Sequence, residues 1–238
     1  MKEMNENILD KDVLEVFVNS DWESGRSLLH LAVLQDDIEL VKQCVQLDVD
    51  VNMVDRQGCT ALFYCKSLEI AKFLVDNGAD VNILDIWGNT AVVSLYRRAN
   101  NDVIKYLAEI TNLDLEGGTS YSSTLLHKMI CNQELDKSLF EIVIPRTKNI
   151  NRITRNSESY LMMAAQNRKY LNVIMMLVES GIDQYMRNRD GKNFYDLSFQ
   201  YVQEEIKKKY PEFIKYKDMT DDQRKRKIKL EQLDRISV

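Results

Sequence analysis

Histidine and cysteine are the side chains here best suited to metal or nucleophilic chemistry, and their spacing argues against both. His30 and His127 are the only histidines, and Cys44, Cys59, Cys65 and Cys131 the only cysteines. A structural zinc site gathers four nitrogen or sulfur ligands, commonly through a C-x-x-C pair, and none occurs. The phosphate-binding and nucleophile phrases G-x-x-x-x-G-K-[ST], G-x-G-x-x-G and G-x-S-x-G are absent. Gly117-Gly118 lacks a following Lys-Ser/Thr and reads as a loop. Oxygen-rich phrases such as Asp48-Val49-Asp50-Val51-Asn52 and Gly78-Ala79-Asp80-Val81-Asn82 could suggest calcium, but Asp and Asn bond their own backbone in turns, which explains them better. The expectation is a chain without catalytic residues, metal or cofactor.

Composition supports a folded, mildly acidic chain. Hydrophobic residues make up 45% of the 238, and 8 glycines and 2 prolines argue against a long flexible linker. The formal net charge of −5 gives no general push toward nucleic acid or anionic membrane. The polar start Met1–Asn7 lacks the apolar run of a secretory signal, and no stretch approaches the roughly 18 apolar residues of a membrane span. Four cysteines without a framework fit a reducing compartment, so a cytoplasmic, intracellular location is expected, with secretion as an effector left open.

What recurs is a phrase beginning with a small polar residue. Ser27-Leu28-Leu29-His30-Leu31-Ala32 returns as Thr60-Ala61-Leu62-Phe63, Thr90-Ala91-Val92-Val93, Thr124-Leu125-Leu126-His127, Ser159-Tyr160-Leu161-Met162-Met163-Ala164 and Asn193-Phe194-Tyr195-Asp196. The starts are 33, 30, 34, 35 and 34 residues apart. Two positions before each stands Gly25, Gly58, Gly88, Ser122, Ser157 or Gly191. Each unit reads as a turn, a short helix, a second helix and an extended return. The polar residue should cap the first helix, with the Thr60 hydroxyl accepting a free backbone N–H. Apolar spacing predicts second helices at Ile38–Leu47, Leu68–Val75, Asp102–Ile110, Leu139–Ile144, Tyr170–Glu179 and Tyr201–Tyr210, with Pro211 ending the array. Ser122 and Ser157, replacing glycines, imply turns that are strained or differently shaped.

A period near 33 with a T-P-L-H-x-A phrase resembles the ankyrin repeat family over roughly residues 22–210. The resemblance implies an all-α repeat solenoid of about six helix-turn-helix repeats with β-turn tips. It departs from the family in lacking proline at the second position of every phrase. Residues 1–21, with Leu9, Val13, Val16 and Phe17 at helical spacing, would form an N-terminal capping helix, residues 22–211 the repeats and 212–238 a charged C-terminal helix or tail. In that tail Thr220-Asp221-Asp222-Gln223 resembles a helix-opening capping box. In the family the histidine ties adjacent turns together by hydrogen bonds, which accounts for His30 and His127.

The resemblance also implies a protein partner met by the turn tips and the inner faces of the first helices. Counting from each phrase, the expected binding residues are Arg26, Arg56, Gln57, Ile86, Trp87, Asn89, Arg97, Arg98, Tyr121, Arg155, Arg189 and Lys192, and Cys59 is counted as an exposed tip. Arg26, Arg56, Arg97, Arg98, Arg155, Arg189 and Lys192 face only Glu23, Glu158 and Asp190 among the charges so placed. A basic face on an acidic chain would steer an acidic partner surface. Trp, Tyr and Arg are enriched among interface hot spots, which singles out Trp87. A non-enzymatic adaptor or effector is the leading expectation. A toxin-neutralising immunity protein is the alternative, and nucleic-acid binding through the arginines is weaker.

Overall fold

The structure is a computed structural model that describes residues 24–96, 98–116, 124–132, 136–154, 157–223 and 225–227. The expected N-terminal cap, and the tail beyond residue 227, lie outside the described residues. The chain divides into two compact units, Met1–Lys148 and Asn149–Val238. The first holds four repeats and the second holds two.

The first helices are Leu28–Gln35, Ala91–Leu95, Leu125–Cys131, Tyr160–Ala165 and Phe194–Leu197, and in repeat 2 a 3-10 turn, Ala61–Tyr64, takes that place. The second helices are Ile38–Gln46, Leu68–Asp76, Asn101–Glu109, Lys137–Val143, Leu171–Glu179 and Gln200–Lys209. The 3-10 turn is the shortening that the 30-residue spacing to repeat 3 calls for. No β-strand is present among the described residues, and one isolated bridge joins Ile153 and Ser159. The architecture is the expected all-α repeat solenoid.

The phrase builds the core. Its third residue, Leu29, Leu62, Val92, Leu126 or Leu161, is at most 1% exposed in repeats 1 to 5. Each such leucine removes enough apolar surface from water to stabilise the stack by roughly 2 kcal/mol. In the first unit the first helix of repeat 1 packs on its own second helix and on the 3-10 turn of repeat 2, which packs in turn on the first helix of repeat 3.

Polar side chains cross the gaps between repeats. Asn52 donates from its amide nitrogen to the Gly78 carbonyl (3.0 Å) and accepts from the Asp80 N–H (2.7 Å). Asn82 does the same with the Asn112 carbonyl (2.9 Å) and the Asp114 N–H (2.7 Å). The preceding aspartates turn the chain, Asp50 accepting from the Asn52 N–H and Asp80 from the Asn82 N–H. Cations close helix ends left open at their carbonyls. Lys66 donates to the Leu34 carbonyl and Lys128 to that of Val93, each at 2.8 Å. Arg146 spreads its guanidinium over the carbonyls of Ala108, Ile110, Thr111 and Leu113 at the end of helix Asn101–Glu109.

Two expectations are corrected. Thr60 makes no capping bond, and neither does Thr90, so both hydroxyls are buried without a partner. Thr124, Ser159 and Asn193 do cap, accepting from the third residue of their helices. Pro211 opens a further helix, Pro211–Tyr216, instead of ending the array. Its missing N–H is harmless at that first position. From this helix Phe213 is buried against Tyr185, Phe194 and Tyr195, so the segment expected to begin a charged tail closes the second unit. Thr220 and Gln223 do exchange side-chain-to-backbone bonds as a capping box.

Candidate protein-interaction surface

The tips of repeats 2, 3, 5 and 6 are tight hairpins built on one pattern. In repeat 2 the Asp55 N–H donates to the Cys59 carbonyl and the Gly58 N–H to the Asp55 carbonyl. The Asp55 carboxylate accepts from the N–H groups of Gln57 (2.8 Å) and Cys59 (3.0 Å). Asp85 repeats this with Trp87 (3.0 Å) and Asn89 (2.8 Å). Both carboxylates are buried by the turns that they hold. Adjacent tips are then joined through the backbone, Arg56 N–H to Ser24 carbonyl and Ile86 N–H to Gln57 carbonyl. Gly58 sits at φ +72°, and a Cβ there would lie 3.2 Å from the Ile86 nitrogen, so a side chain would collide with the joint between tips. In the second unit Ser157 adopts the same left-handed conformation, φ 59°, and keeps the same pattern with Thr154 and Glu158. That turn is therefore strained and not differently shaped; Ser122 lies outside the described residues.

The tip of repeat 3 projects two large apolar side chains. Ile86 is 64% exposed and Trp87 56%. Their backbone is fixed by Asp85 while their side chains remain in solvent. Arg56 and Gln57 are exposed on the neighbouring tip, and Arg98 is exposed in the connection between the two helices of repeat 3. Ile86, Trp87, Arg56 and Gln57 are exposed on tips of the first unit as expected, whereas Arg98, expected on the inner face of a first helix, lies beyond the end of helix Ala91–Leu95.

Other expected residues are otherwise employed. Arg26 lies over the Tyr64 ring (4.8 Å), donates to its hydroxyl (3.4 Å) and pairs with Asp55 (3.8 Å). The Tyr64 hydroxyl donates to Asp55 at 2.5 Å, and burial together with this bond pushes the phenol up to about 12. Arg26 thus braces repeat 1 on repeat 2. Asn89 turns its amide back onto the Asp85 carboxylate (3.2 Å). Cys59, expected at an exposed tip, is buried, because its carbonyl is the acceptor that closes the turn and receives His30. Arg97, Tyr121 and Arg155 lie outside the described residues. Arg189 and Lys192 are exposed on the second unit, Arg189 donating to the Ser157 hydroxyl (3.3 Å).

The sequence reading missed Met53, Val54 and Leu84, which are 42%, 46% and 38% exposed. They lie on the hairpin arms that climb to the tips of repeats 2 and 3. In sequence they merge with the apolar residues around them and read as core.

His30 and three of the four cysteines, Cys44, Cys59 and Cys65, are buried in the scaffold, while Cys131 is exposed. The His30 ring accepts from the Ser27 N–H at Nδ1 (3.1 Å), so Nε2 carries the proton donated to the Cys59 carbonyl (3.0 Å). Burial holds this imidazole below its ordinary range, the Cys59 carbonyl only partly offsetting it. Burial likewise raises the Cys44 and Cys59 thiols to about 11 and that of Cys65 to about 12, far from the thiolate form a nucleophile needs. Among the described residues no group of three or more His, Cys, Asp or Glu could hold a metal ion, and no helix is long and apolar enough to cross a membrane.

Comparison with known proteins agrees with this architecture. Residues 4–85 match the family model for ankyrin repeats in three copies. The chain is 27% identical over 219 residues to the ankyrin repeat protein L371 of Acanthamoeba polyphaga mimivirus, covering 88% of this chain and 25% of that protein. It thus spans a quarter of that relative's length. Among solved structures it is similar to the ankyrin repeat protein EF0377, with TM-score 0.62 and 23% identity over 76% of this chain and 94% of that one. A complex of the predatory endopeptidase Bd0816 from Bdellovibrio bacteriovorus with the immunity protein Bd3460 is also similar, with TM-score 0.59 and 24% identity over 75% and 92% of the two chains.

Proposed function

We propose, from the premise that this chain is an ankyrin-repeat protein, that it works without catalysis by binding a partner protein on the tips of repeats 2 and 3. The observation that carries the reading is the exposed pair Ile86 and Trp87 on a hairpin that the rest of the repeat holds rigid. Rigid placement matters because an anchor already ordered loses little entropy on binding. Arg56 and Arg98 are the exposed cations of this surface, and they favour an acidic rim on the partner. An adaptor or effector role follows if the partner keeps its own activity when bound. The test is quantitative affinity purification with wild-type chain and Trp87→Ala side by side. A partner enriched only by the wild type supports the reading, and equal enrichment by both overturns it.

The similarity to the complex of Bd3460 with Bd0816 favours a second reading, an inhibitor that occludes a toxin's active site. Inhibition of the captured partner's activity at one-to-one stoichiometry separates it from the adaptor.

A further inference from the structure

Exposed apolar side chains of the first unit are not confined to the tip of repeat 3. Met53 and Val54 on the hairpin arm of repeat 2, and Leu84 on that of repeat 3, are exposed alongside Ile86 and Trp87. The Ile86 to Gln57 backbone bond joins these two hairpins directly. The surface suits one apolar segment.

Charge indicates which kind. Each arm starts at the C-terminal end of a second helix, where backbone carbonyls already carry partial negative charge. Asp48 and Asp50 follow helix Ile38–Gln46; Asp76 ends helix Leu68–Asp76, and Asp80 follows it. All four are exposed. Asp50 and Asp80 each give one oxygen to a backbone N–H two residues on, which fixes the carboxylates in place with the other oxygen directed elsewhere. The tip aspartates differ, since Asp55 and Asp85 are buried by their own turns. Negative charge is therefore concentrated at the foot of the apolar strip and hidden at its top.

We infer that the strip formed by Met53, Val54 and Leu84 takes an apolar segment of the partner that carries lysine or arginine over the aspartates at its foot. This rests on the tip-binding reading and deepens it: the partner offers apolar side chains to both tip and arm, and basic ones to the base. The aspartates set orientation, because a segment laid the other way would bring any acidic group onto four carboxylates.

The test pans a random peptide display library on the immobilised full chain, with counter-selection on Val54→Ser/Leu84→Ser. Both positions are exposed, and a melting curve checks that the counter-selecting variant is folded. Enriched peptides are synthesised and titrated against wild type, Trp87→Ala, and Asp48→Asn/Asp50→Asn/Asp76→Asn/Asp80→Asn. Asparagine keeps the acceptor for the turn bonds and removes only the charge. Peptides with Lys or Arg beside apolar residues are expected, losing roughly 10-fold in affinity on the asparagine variant and most of their salt dependence with it. No enrichment over the counter-selected variant, or peptides indifferent to the four asparagines, overturns the inference. Peptides that survive counter-selection and need Trp87 but ignore the aspartates leave the tip reading standing and remove this one. Peptides that need the arm and ignore Trp87 do the reverse.

Discussion

The Nε2 proton of His30 is donated to the carbonyl of Cys59, 29 positions further along the chain and 3.0 Å away. One ring thereby fixes the first helix of repeat 1 to the turn of repeat 2, while its other nitrogen accepts from the Ser27 N–H. Protonation would remove that acceptor and place a charge in a buried site beside Arg26, with the Asp55 charge opposing the effect. The folded-state pKa lies below the ordinary value, so the unfolded chain binds the proton more readily. The stabilisation is complete above about pH 6.5 and is lost as pH falls through the lower folded value. Melting temperature followed from pH 7.5 to 4.5 should fall less steeply in His30→Gln than in the wild type. Parallel curves would show that the ring titrates as it does in the unfolded chain.

The unpartnered hydroxyls of Thr60 and Thr90 make a prediction of opposite sign. Repeats 2 and 3 carry Phe63 and Val93 where repeat 1 carries His30. Their threonines cap nothing, and burial leaves the hydroxyls without bonds. Thr60→Val or Thr90→Val should leave stability unchanged or raise it by up to about 1 kcal/mol, since a buried unmade bond is costly. Thr124→Val, which loses a working cap, should cost about 1 kcal/mol. Urea unfolding of the three variants decides this, and equal losses would mean that all three hydroxyls are bonded.

Arg146 reaches four carbonyls around the end of helix Asn101–Glu109. Arg146→Met keeps the aliphatic stem and removes every donor. It should destabilise the first unit by roughly 2 kcal/mol, the scale of charged hydrogen bonds. Arg146→Lys should recover only part, because an ammonium lacks the planar fork that spans several acceptors. Full recovery by lysine in urea titrations would reduce the role of Arg146 to charge alone.

Arg98 tests the steering idea apart from the anchor. Arg98→Glu changes an exposed charge in a helix connection, so it should leave the melting temperature nearly unchanged. It should slow association with an acidic partner several-fold at low salt, with a smaller change in dissociation. Stopped-flow association at two ionic strengths is the measurement, and equal on-rates would remove Arg98 from the surface.

The repeats were legible because each phrase buries the same side chains. A small polar residue followed by apolar ones marks every first helix, and the amphipathic spacing of Ile38–Gln46 or Leu68–Asp76 needs no tertiary information. Interactions between repeats were not legible. Arg26 reads as a free tip cation, since its partners Asp55 and Tyr64 stand 29 and 38 positions away. Cys59 reads as exposed because only the fold shows its carbonyl serving the turn and His30 together. Met53, Val54 and Leu84 carry the same residue types as buried neighbours such as Val81, and sequence alone does not separate an arm's wet side from its dry one. Ile86 and Trp87 were found because each breaks the polar character of a turn.

The central claim is that Trp87 serves a partner and not the fold. Its most direct measurement is the dissociation constant of the captured partner for wild type and Trp87→Ala, taken beside their melting temperatures. Binding should weaken by about 2 kcal/mol or more, near 30-fold, with stability within about 0.5 kcal/mol of wild type. Unchanged affinity with a collapsed melting temperature would contradict it and make Trp87 a packing residue.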